Sequence, residues 1–287
     1  MDLSVVIVSY NTEELLKRCL ESLIIQDTRY KIQDTEVIVV DNGSEDGSKE
    51  YLKSQKSKVK PACAGRTTTQ NLKLKIILND RNLGFAKANN QGIKEAQGEY
   101  ILLLNSDTEV KSGALEKLIE FAREHPEAGV IGARLLSLDS SIQPSVYHLP
   151  TIWRAIREYW LGQKGTYEKY APTVSRAVSV EAVTGAVMLI PRKKIGKIGL
   201  LDERYFMYFE DLDYCRKVKR AGFKVYYLPT AEIIHRHGAS GQEIPDQTRQ
   251  WLVQSSKTYH GPLKHYLINF IIFTAQKWQK FLRKIKA

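Results

Sequence analysis

The sequence predicts an α/β fold with a mostly parallel central sheet flanked by helices. Short apolar runs alternate with amphipathic stretches over roughly the first 130 residues, and several of these runs end in polar side chains. Continuous apolar runs are typical of strands buried on both faces of a parallel sheet, and strict alternation with helices indicates such a sheet. Ligands bind such sheets at the carboxyl ends of the strands, so the polar ends are the candidate site.

Each element of the first half follows from its own pattern. Leu16, Leu20 and Leu23 recur at helical spacing after Thr12, a plausible helix start. The same reasoning predicts strands at residues 5–8, 36–40, 73–78 and 100–104, and helices at 12–25, 48–54, 84–96 and 113–124. Residues 54–70 are basic and then polar, which predicts an exposed insertion loop without an assigned role.

The alternation stops at about residue 129. The second half is predicted to comprise an irregular or β segment at 142–150, a helix at 151–161, a polar loop at 162–172, an interrupted strand or strand pair at 178–190, a helix at 210–221, and separate strands at 224–227 and 231–235. This change divides the predicted catalytic domain, 1–245, into a first half at 1–128 and a second half at 129–245.

The charge of the chain favours an anionic partner. The net charge is +11, and no acidic residue follows Asp246 although eight lysines and arginines do. A nucleic-acid-binding protein would interleave basic and aromatic residues on a sheet face, so we expect no nucleic acid partner. Three distant cysteines without CxxC spacing exclude a disulfide framework or zinc knot and favour a reducing cytoplasmic compartment. No secretory signal is expected.

The tail, residues 246–287, is predicted to carry a basic amphipathic helix. Its apolar face comprises Tyr266, Leu267, Phe270, Ile271, Trp278, Phe281, Leu282 and Ile285. The apolar stretch at 266–273 is much shorter than the roughly 20 residues that cross a bilayer. A basic helix with tryptophan and phenylalanine is typical of a membrane interface. The alternative is a helix packed on its own domain or on a second subunit in a homodimer.

Two strand ends carry carboxylates. Asp41 begins an Asp-Asn-Gly-Ser sequence that suits a turn and a helix cap, and its carboxylate could instead accept hydrogen bonds from a ribose or base. Asp107 ends Asn105-Ser106-Asp107, directly after a buried strand. It could cap the next helix or bind Mg²⁺ or Mn²⁺, which prefer oxygen ligands.

Three acids follow an aromatic run in the segment 206–213. Glu210, Asp211 and Asp213 would be favoured in the first turn of a helix by its dipole. A carboxylate among aromatic side chains also has a raised pKa and can act as a general base. His235 lies at a predicted strand end and could bind a metal or serve as a structural or surface histidine.

The order of these motifs closely resembles that of family-2 glycosyltransferases of GT-A fold. The motifs lie at residues 5–11, 40–48, 82–92, 104–108, 184–186 and 209–213, and the resemblance covers roughly residues 3–240. It is nearest to the bacterial rhamnosyltransferase-like branch.

The resemblance implies a role for each matching residue. It implies Asp211 as the catalytic base with Glu210 as the runner-up, Asp107 and His235 at a metal, and Gly185 and Ala186 at the donor or acceptor sugar. The implied donor-nucleotide residues are Ser9, Tyr10, Asp41, Asn82, Gly84, Lys87, Asn105 and Ser106.

The implied activity is an inverting transfer from a UDP- or dTDP-sugar, such as dTDP-rhamnose, to a glycan or lipid-linked acceptor in cell-surface polysaccharide synthesis. The implied cofactor is Mg²⁺ or Mn²⁺, and the implied location is the inner face of the cell membrane. One departure is Asn105, where the family's DxD motif has its first aspartate. This departure leaves open a catalytically weak protein that only binds the nucleotide sugar.

Overall fold

The first half of the chain alternates strands and helices. The computed structural model describes residues 1–24, 34–58, 73–236 and 245–286, so most of the predicted insertion at 54–70 lies outside the described residues. The elements of the first half are β1 Leu3–Ser9, α1 Glu13–Ile24, β2 Thr35–Asp41, α2 Ser48–Lys58, β3 Lys73–Leu78, α3 Phe85–Glu95, β4 Tyr100–Asn105, β5 Thr108–Val110 and α4 Ala114–Glu124.

The second half mixes short strands with helices and ends in a helical pair. Its elements are β6 Ala128–Leu136, β7 Val146–Tyr147, α5 Ile152–Tyr159, β8 Val178–Val180, β9 Ala182–Val183, β10 Val187–Pro191, α6 Arg192–Ile198, α7 Glu210–Arg220, β11 Lys224–His235, α8 Pro245–His260 and α9 Pro262–Lys286.

Within the described ranges, nine strands form one mixed, mostly parallel sheet. Its order is β3-β2-β1-β4-β10-β6-β11-β5, with β8 paired to β11. Strands β3, β2, β1 and β4 are mutually parallel, as are β6 and β11. Strand β10 lies between these two groups and runs antiparallel to both β4 and β6. The carboxyl ends of β1, β2 and β4 therefore meet the amino end of β10 at one edge.

The core fills both faces of this sheet because alternate strand residues point to opposite sides. Val5 and Leu102 pack in one apolar cluster with helix residues such as Leu16. Their neighbours Val6 and Ile101 pack in the other. The helices thus cover both faces, as the continuous apolar runs predict.

Several features differ from the sequence-based prediction, among them the unpredicted β5 and α6 and the three strands β8, β9 and β10 where one or two were expected. The strands expected at 224–227 and 231–235 are one strand, β11, whose register shifts between Leu228 and Glu232. Strand β6 lies where the alternation was expected to stop, and all but one of its residues are buried. Helix α8 was not predicted, because its sequence is polar and lacks a clear apolar stripe.

The chain ends in two helices that pack beside the cavity described below. Ser255 Oγ of α8 donates to the carbonyl of Met207 at 2.8 Å, and Trp251 stacks on Phe206 with ring centroids 4.6 Å apart. In the described part of the chain, no helix has both the length and the apolar content that crossing a bilayer requires.

Candidate active site

A cavity of about 720 Å³ lies at the carboxyl edge of the sheet. Ten of the predicted site residues line it: Tyr10, Asn82, Asn105, Ser106, Asp107, Gly185, Ala186, Glu210, Asp211 and His235. Four others are not among its lining residues: Ser9, Asp41, Gly84 and Lys87. The fold thus brings residues separated by more than 200 positions into one chamber.

Ser9 and Asp41 lie behind the cavity wall and are fully buried. The Ser9 hydroxyl lies 2.9 Å from that of Thr12, which lies 2.9 Å from that of Ser106, so a hydroxyl chain ties the end of β1 to the end of β4. Asp41 Oδ1 accepts a hydrogen bond from the backbone N–H of Ser44 at 3.0 Å. Both residues shape the strand ends from beneath.

Asn42, rather than Asp41, reaches the cavity from the end of β2. Its Nδ2 donates to Asn82 Oδ1 at 2.8 Å, and its Oδ1 accepts from the backbone N–H of Leu83 at 3.0 Å. Asn42 therefore fixes the loop between β3 and α3. The sequence contains a signal for this role, because Asn42 directly follows a buried strand. The prediction nevertheless assigned the role to Asp41 because of its carboxylate.

Gly84 brings this loop against the segment that precedes α7. Its φ is +86°, and a Cβ there would lie 2.7 Å from the carbonyl oxygen of Phe206. The next N–H, that of Phe85, donates to the same oxygen at 2.6 Å. Gly84 is thus required for contact between loops, because only glycine combines this φ with so close an approach. Lys87 is exposed on α3.

The corner formed by Asn105 and Asp107 offers oxygen ligands. Asn105 Oδ1 and Asp107 Oδ1 are buried and accept no hydrogen bond from any described residue. His235 Nε2 lies 3.4 Å from Asp107 Oδ1. Gln143 Oε1 accepts from His235 Nδ1 at 3.0 Å, while Gln143 Nε2 donates to the His235 carbonyl at 2.7 Å. Metal-binding histidines usually have such an orienting partner.

These residues fit a divalent cation shared with a phosphate ligand. Within the described ranges, no group of three or more His, Cys, Asp or Glu side chains could hold a metal by itself. Mg²⁺ is commonly bound by one or two carboxylates together with substrate phosphates. The oxygens of Asn105 and Asp107 that accept no hydrogen bond from the described residues match that incomplete set of ligands.

Asp211 lies at the start of α7, where hydrogen bonds hold its carboxylate. Oδ2 accepts from the backbone N–H of Gly185 at 3.0 Å, and Oδ1 accepts from that of Leu212 at 2.7 Å. Burial raises the pKa of Asp211, while the two N–H groups and the charge of Lys169 oppose the rise. The backbone N–H groups thus fix the carboxylate in one orientation, while its pKa stays raised above the usual aspartate value.

Glu210, its neighbour, is in a different environment. Burial and the charge of Asp211 raise the pKa of Glu210 well above the usual glutamate value, and its Oε2 has no hydrogen-bond partner among the described residues. Carboxyl groups whose environments separate their pKa values take different roles. The two neighbouring carboxyl groups thus differ in environment, and the assignment of Asp211 as the base with Glu210 as the runner-up stays a prediction.

The backbone before this pair is strained. Tyr208 and Phe209 have φ values of 70° and 67°, a left-handed conformation that costs non-glycine residues roughly 1–3 kcal/mol each. Contacts hold it in place: the Phe209 ring packs on Tyr259 of α8 at 5.3 Å between centroids. Such strain concentrates at functional sites, and here it sets the direction in which α7 presents its acids.

Among the described residues that line the cavity, Lys169 is the one lysine. Its environment is unusual. It lies 5.8 Å from the ring centre of Tyr147, and burial lowers its pKa while the Asp211 charge opposes that fall. Other residues missed from the sequence line the same end: Tyr147, Tyr167, Phe206 and Trp251. They come from the two-residue strand β7, from loops and from α8, where no periodic pattern marks a lining position.

An oxygen-rich corner that faces a buried carboxylate pair, at the carboxyl edge of this sheet, defines a transferase of the GT-A class. The chain belongs to glycosyl transferase family 2, whose family model matches residues 4–182. The family, the fold and the enzyme class expected from the ordered motifs are confirmed.

Curated relatives cover most of the chain. An N-acetylglucosaminyl-diphospho-decaprenol L-rhamnosyltransferase of Mycobacterium tuberculosis is 27% identical over 263 residues, 85% of this chain and 78% of that protein. The rhamnosyltransferase WbbL of Escherichia coli K12 is 26% identical over 263 residues, 89% of this chain and 91% of that protein. These relatives support the rhamnosyltransferase-like branch.

Solved structures share the fold. GalNAc-T7 with UDP, GalNAc and Mn²⁺ superposes with a TM-score of 0.60 at 17% identity, covering 82% of this chain and 44% of that one. Residues 1–349 of Staphylococcus aureus TarS with UDP superpose with a TM-score of 0.57 at 18% identity, covering 95% of this chain and 70% of that one.

Proposed function

We propose that this glycosyltransferase moves a sugar, with inversion, from a UDP- or dTDP-sugar to a hydroxyl of a glycan or lipid-linked acceptor in cell-surface polysaccharide synthesis. The observation that carries the proposal is the placement of the buried Asp211 carboxyl group in one cavity with the Asn105–Asp107 corner. One end supplies a base for an acceptor hydroxyl, and the other supplies oxygen ligands for the diphosphate end of a donor. A single base opposite the leaving group favours direct displacement.

The proposed reaction uses this chain's residues as follows. Asp211 takes the proton of the acceptor hydroxyl, and the hydroxyl oxygen forms a bond to the anomeric carbon. The bond from that carbon to the phosphate oxygen breaks, and the nucleoside diphosphate leaves with the electron pair. The Gly185 N–H keeps the base oriented through its hydrogen bond to Oδ2. Attack opposite the leaving group inverts the anomeric centre.

The proposed metal site comprises Asp107, His235 and the amide oxygen of Asn105. A bound Mg²⁺ or Mn²⁺ would neutralise charge on the leaving diphosphate. The buried oxygens of Asn105 and Asp107, which accept no hydrogen bond from the described residues, and the 3.4 Å approach of His235 Nε2 to Asp107 Oδ1 support the site. The remaining residues predicted to bind the nucleotide divide into a contact group, Tyr10, Asn82 and Ser106, and a supporting group, Ser9, Asp41 and Gly84.

The proposed division into a nucleotide half, 1–128, and an acceptor half, 129–245, is supported by the cavity lining, because Tyr10, Asn82 and Asp107 precede residue 128 and Asp211 follows it. The acceptor end also takes Trp251 and Leu252 from α8, so the tail contributes to the same chamber. A lipid-linked acceptor, such as the one named in the Mycobacterium relative, would place the enzyme peripherally at the inner face of the cell membrane.

A donor screen tests the proposed function. We expect nucleotide release from one of a panel of UDP- and dTDP-sugars, with dTDP-rhamnose the first candidate, and we expect EDTA to reduce the release and Mn²⁺ or Mg²⁺ to restore it. Binding of a sugar nucleotide by calorimetry without turnover on any acceptor would instead support the catalytically weak binding protein. Asn105, which brings no charge to the corner, is the observation that favours that alternative.

Replacing Lys169 with methionine is expected to shift the acidic limb of the kcat profile to higher pH. Asp211 works when deprotonated, so activity falls as the pH drops through its pKa. The charge of Lys169 lowers that pKa, and removing it makes the loss begin at a higher pH. Lys169→Arg should restore the profile. Lys164→Met, an exposed lysine of the same loop, is the control, and an identical limb in Lys169→Met and the parent would contradict this coupling.

A further inference from the structure

Helix α9 exposes an unusually apolar stripe. Eight large apolar residues along it are between 38% and 83% exposed: Leu263, Tyr266, Leu267, Phe270, Phe273, Trp278, Phe281 and Leu282. Several of them recur at spacings of three and four, which places them on one side of the helix. Contiguous exposed patches of this kind mark an interaction surface.

The packing of α9 on its own domain uses the opposite side. His265, Ile268 and Ala275 are 5%, 3% and 1% exposed, and they recur on the other face of the helix. Intramolecular packing thus accounts for one side of α9 only. This second side meets the expectation that the helix packs on its own domain. The residues of the apolar stripe stay at least 38% exposed.

Helix α5 extends the stripe into a broader surface. Trp160 Nε1 donates to the Ile271 carbonyl at 3.2 Å, and Gln279 Nε2 donates to the Tyr159 carbonyl at 2.7 Å. Beside these contacts, Trp153, Trp160 and Leu161 are 61%, 46% and 59% exposed. We call these three residues, together with the exposed apolar residues of α9, the α5–α9 face. Its aromatic content matches the residues that favour a membrane interface.

Charge identifies the occupant of this face. Lys264, Lys277, Lys280 and Lys284 are exposed on α9, and no acidic residue follows Asp246. Lysines can place their stems along an apolar surface and their amines at anionic headgroups. A second copy of the chain would bring the same cations against these, without acids on α9 to balance them. An anionic bilayer complements both the apolar stripe and the charge.

We propose that the α5–α9 face docks this enzyme on an anionic lipid bilayer, with its aromatic side chains in the headgroup region. Segments next to the face reach the cavity: α8, joined to α9, supplies Trp251 and Leu252, and the segments on either side of α5 supply Pro150 and Tyr167. Docking there holds the acceptor end of the cavity next to the lipid surface. The purpose of this docking rests on the proposed lipid-linked acceptor, whereas the docking itself is independent of it.

Vesicle flotation of the full chain tests the proposal. The probes are vesicles of phosphatidylcholine alone and of phosphatidylcholine with phosphatidylglycerol. We expect binding to the anionic vesicles, weakened by salt. Phe270→Ser with Phe273→Ser and Trp278→Ser should lower the partition coefficient about tenfold or more. Lys277→Gln with Lys280→Gln and Lys284→Gln should lower it on anionic vesicles about tenfold and leave the weak binding to phosphatidylcholine unchanged.

The control pair is Leu138→Ser with Ile142→Ser, which removes exposed apolar side chains, 61% and 46% exposed, far from α9 in the sequence; it should bind as the parent does. Nucleotide release from the donor should be unchanged in every variant, which separates failed docking from a failed function. Two results would overturn the proposal: anionic-vesicle binding by the triple serine variant within twofold of the parent, or a parent dimer that this variant converts to monomer without any vesicle binding.

Discussion

Asp211→Asn is expected to lower sugar transfer about 1,000-fold, within the range that general-base catalysis contributes, and to leave donor affinity unchanged. The asparagine keeps the shape of the side chain and one oxygen to accept from the backbone, but it cannot take the proton of the acceptor hydroxyl. Turnover with the donor found in the screen gives the first value, and calorimetric titration of the same donor gives the second.

Two variants of the same helix sharpen this result. Glu210→Gln should keep most of the activity, because the pKa of Glu210 is raised well above its usual value, which favours the neutral carboxyl group that glutamine resembles. Asp213→Asn removes an acid from the same first turn and controls for the helix dipole. If Glu210→Gln lost as much activity as Asp211→Asn, the base would have been assigned to the wrong carboxylate.

Asp107→Asn is expected to lower turnover at fixed Mn²⁺ about 100-fold and to raise the metal concentration needed for half-maximal rate. The variant keeps an oxygen at the corner but removes the carboxylate charge there, so the metal would be held by neutral ligands and the diphosphate alone. A Mn²⁺ titration of the rate measures both effects.

Glu109→Gln is the matched control for this corner. Glu109 lies two residues further on and pairs with Arg236 at 2.9 Å, outside the cavity lining. The Glu109→Gln variant removes one negative charge close to Asp107 but outside the cavity. Its Mn²⁺ titration should therefore overlay that of the parent. Equal rates for Asp107→Asn and the parent at every metal concentration, EDTA included, would refute a metal role for Asp107.

The strands were predictable because burial on both faces produces continuous apolar runs. Lys73–Leu78 was predicted to the residue, and the positions of Asn105 and Asp107 directly after a buried strand were enough to predict that they lie at the ligand edge. Gly129, Gly132 and Arg134 interrupt the apolar run of β6 and hid this strand, and the bulge near residues 228–232 made one strand, β11, resemble two.

The acceptor end could not be predicted in the same way. Lys169, Tyr147 and Trp251 reach the cavity from a loop, a two-residue strand and a polar helix, and their common destination depends on tertiary packing. From the order of the motifs, Ser9 and Lys87 were also predicted to contact the nucleotide. The structure places Ser9 in a buried hydroxyl chain and Lys87 on the exposed side of α3, because a motif records which residues recur and not which side chains face the ligand.

The reversed direction of β10 brings both a backbone N–H and a backbone carbonyl to the site. Where strands run parallel, their final carbonyls all face the ligand edge, and a strand running the other way brings its first residues there. The turn before β10 thus delivers the Gly185 N–H to Asp211, while the Ala186 carbonyl accepts from the Asn105 N–H at 3.0 Å. One strand reversal therefore links the proposed base, Asp211, to the proposed metal site at Asn105 through a single three-residue turn. Lengthening that turn by one residue would misalign both groups together.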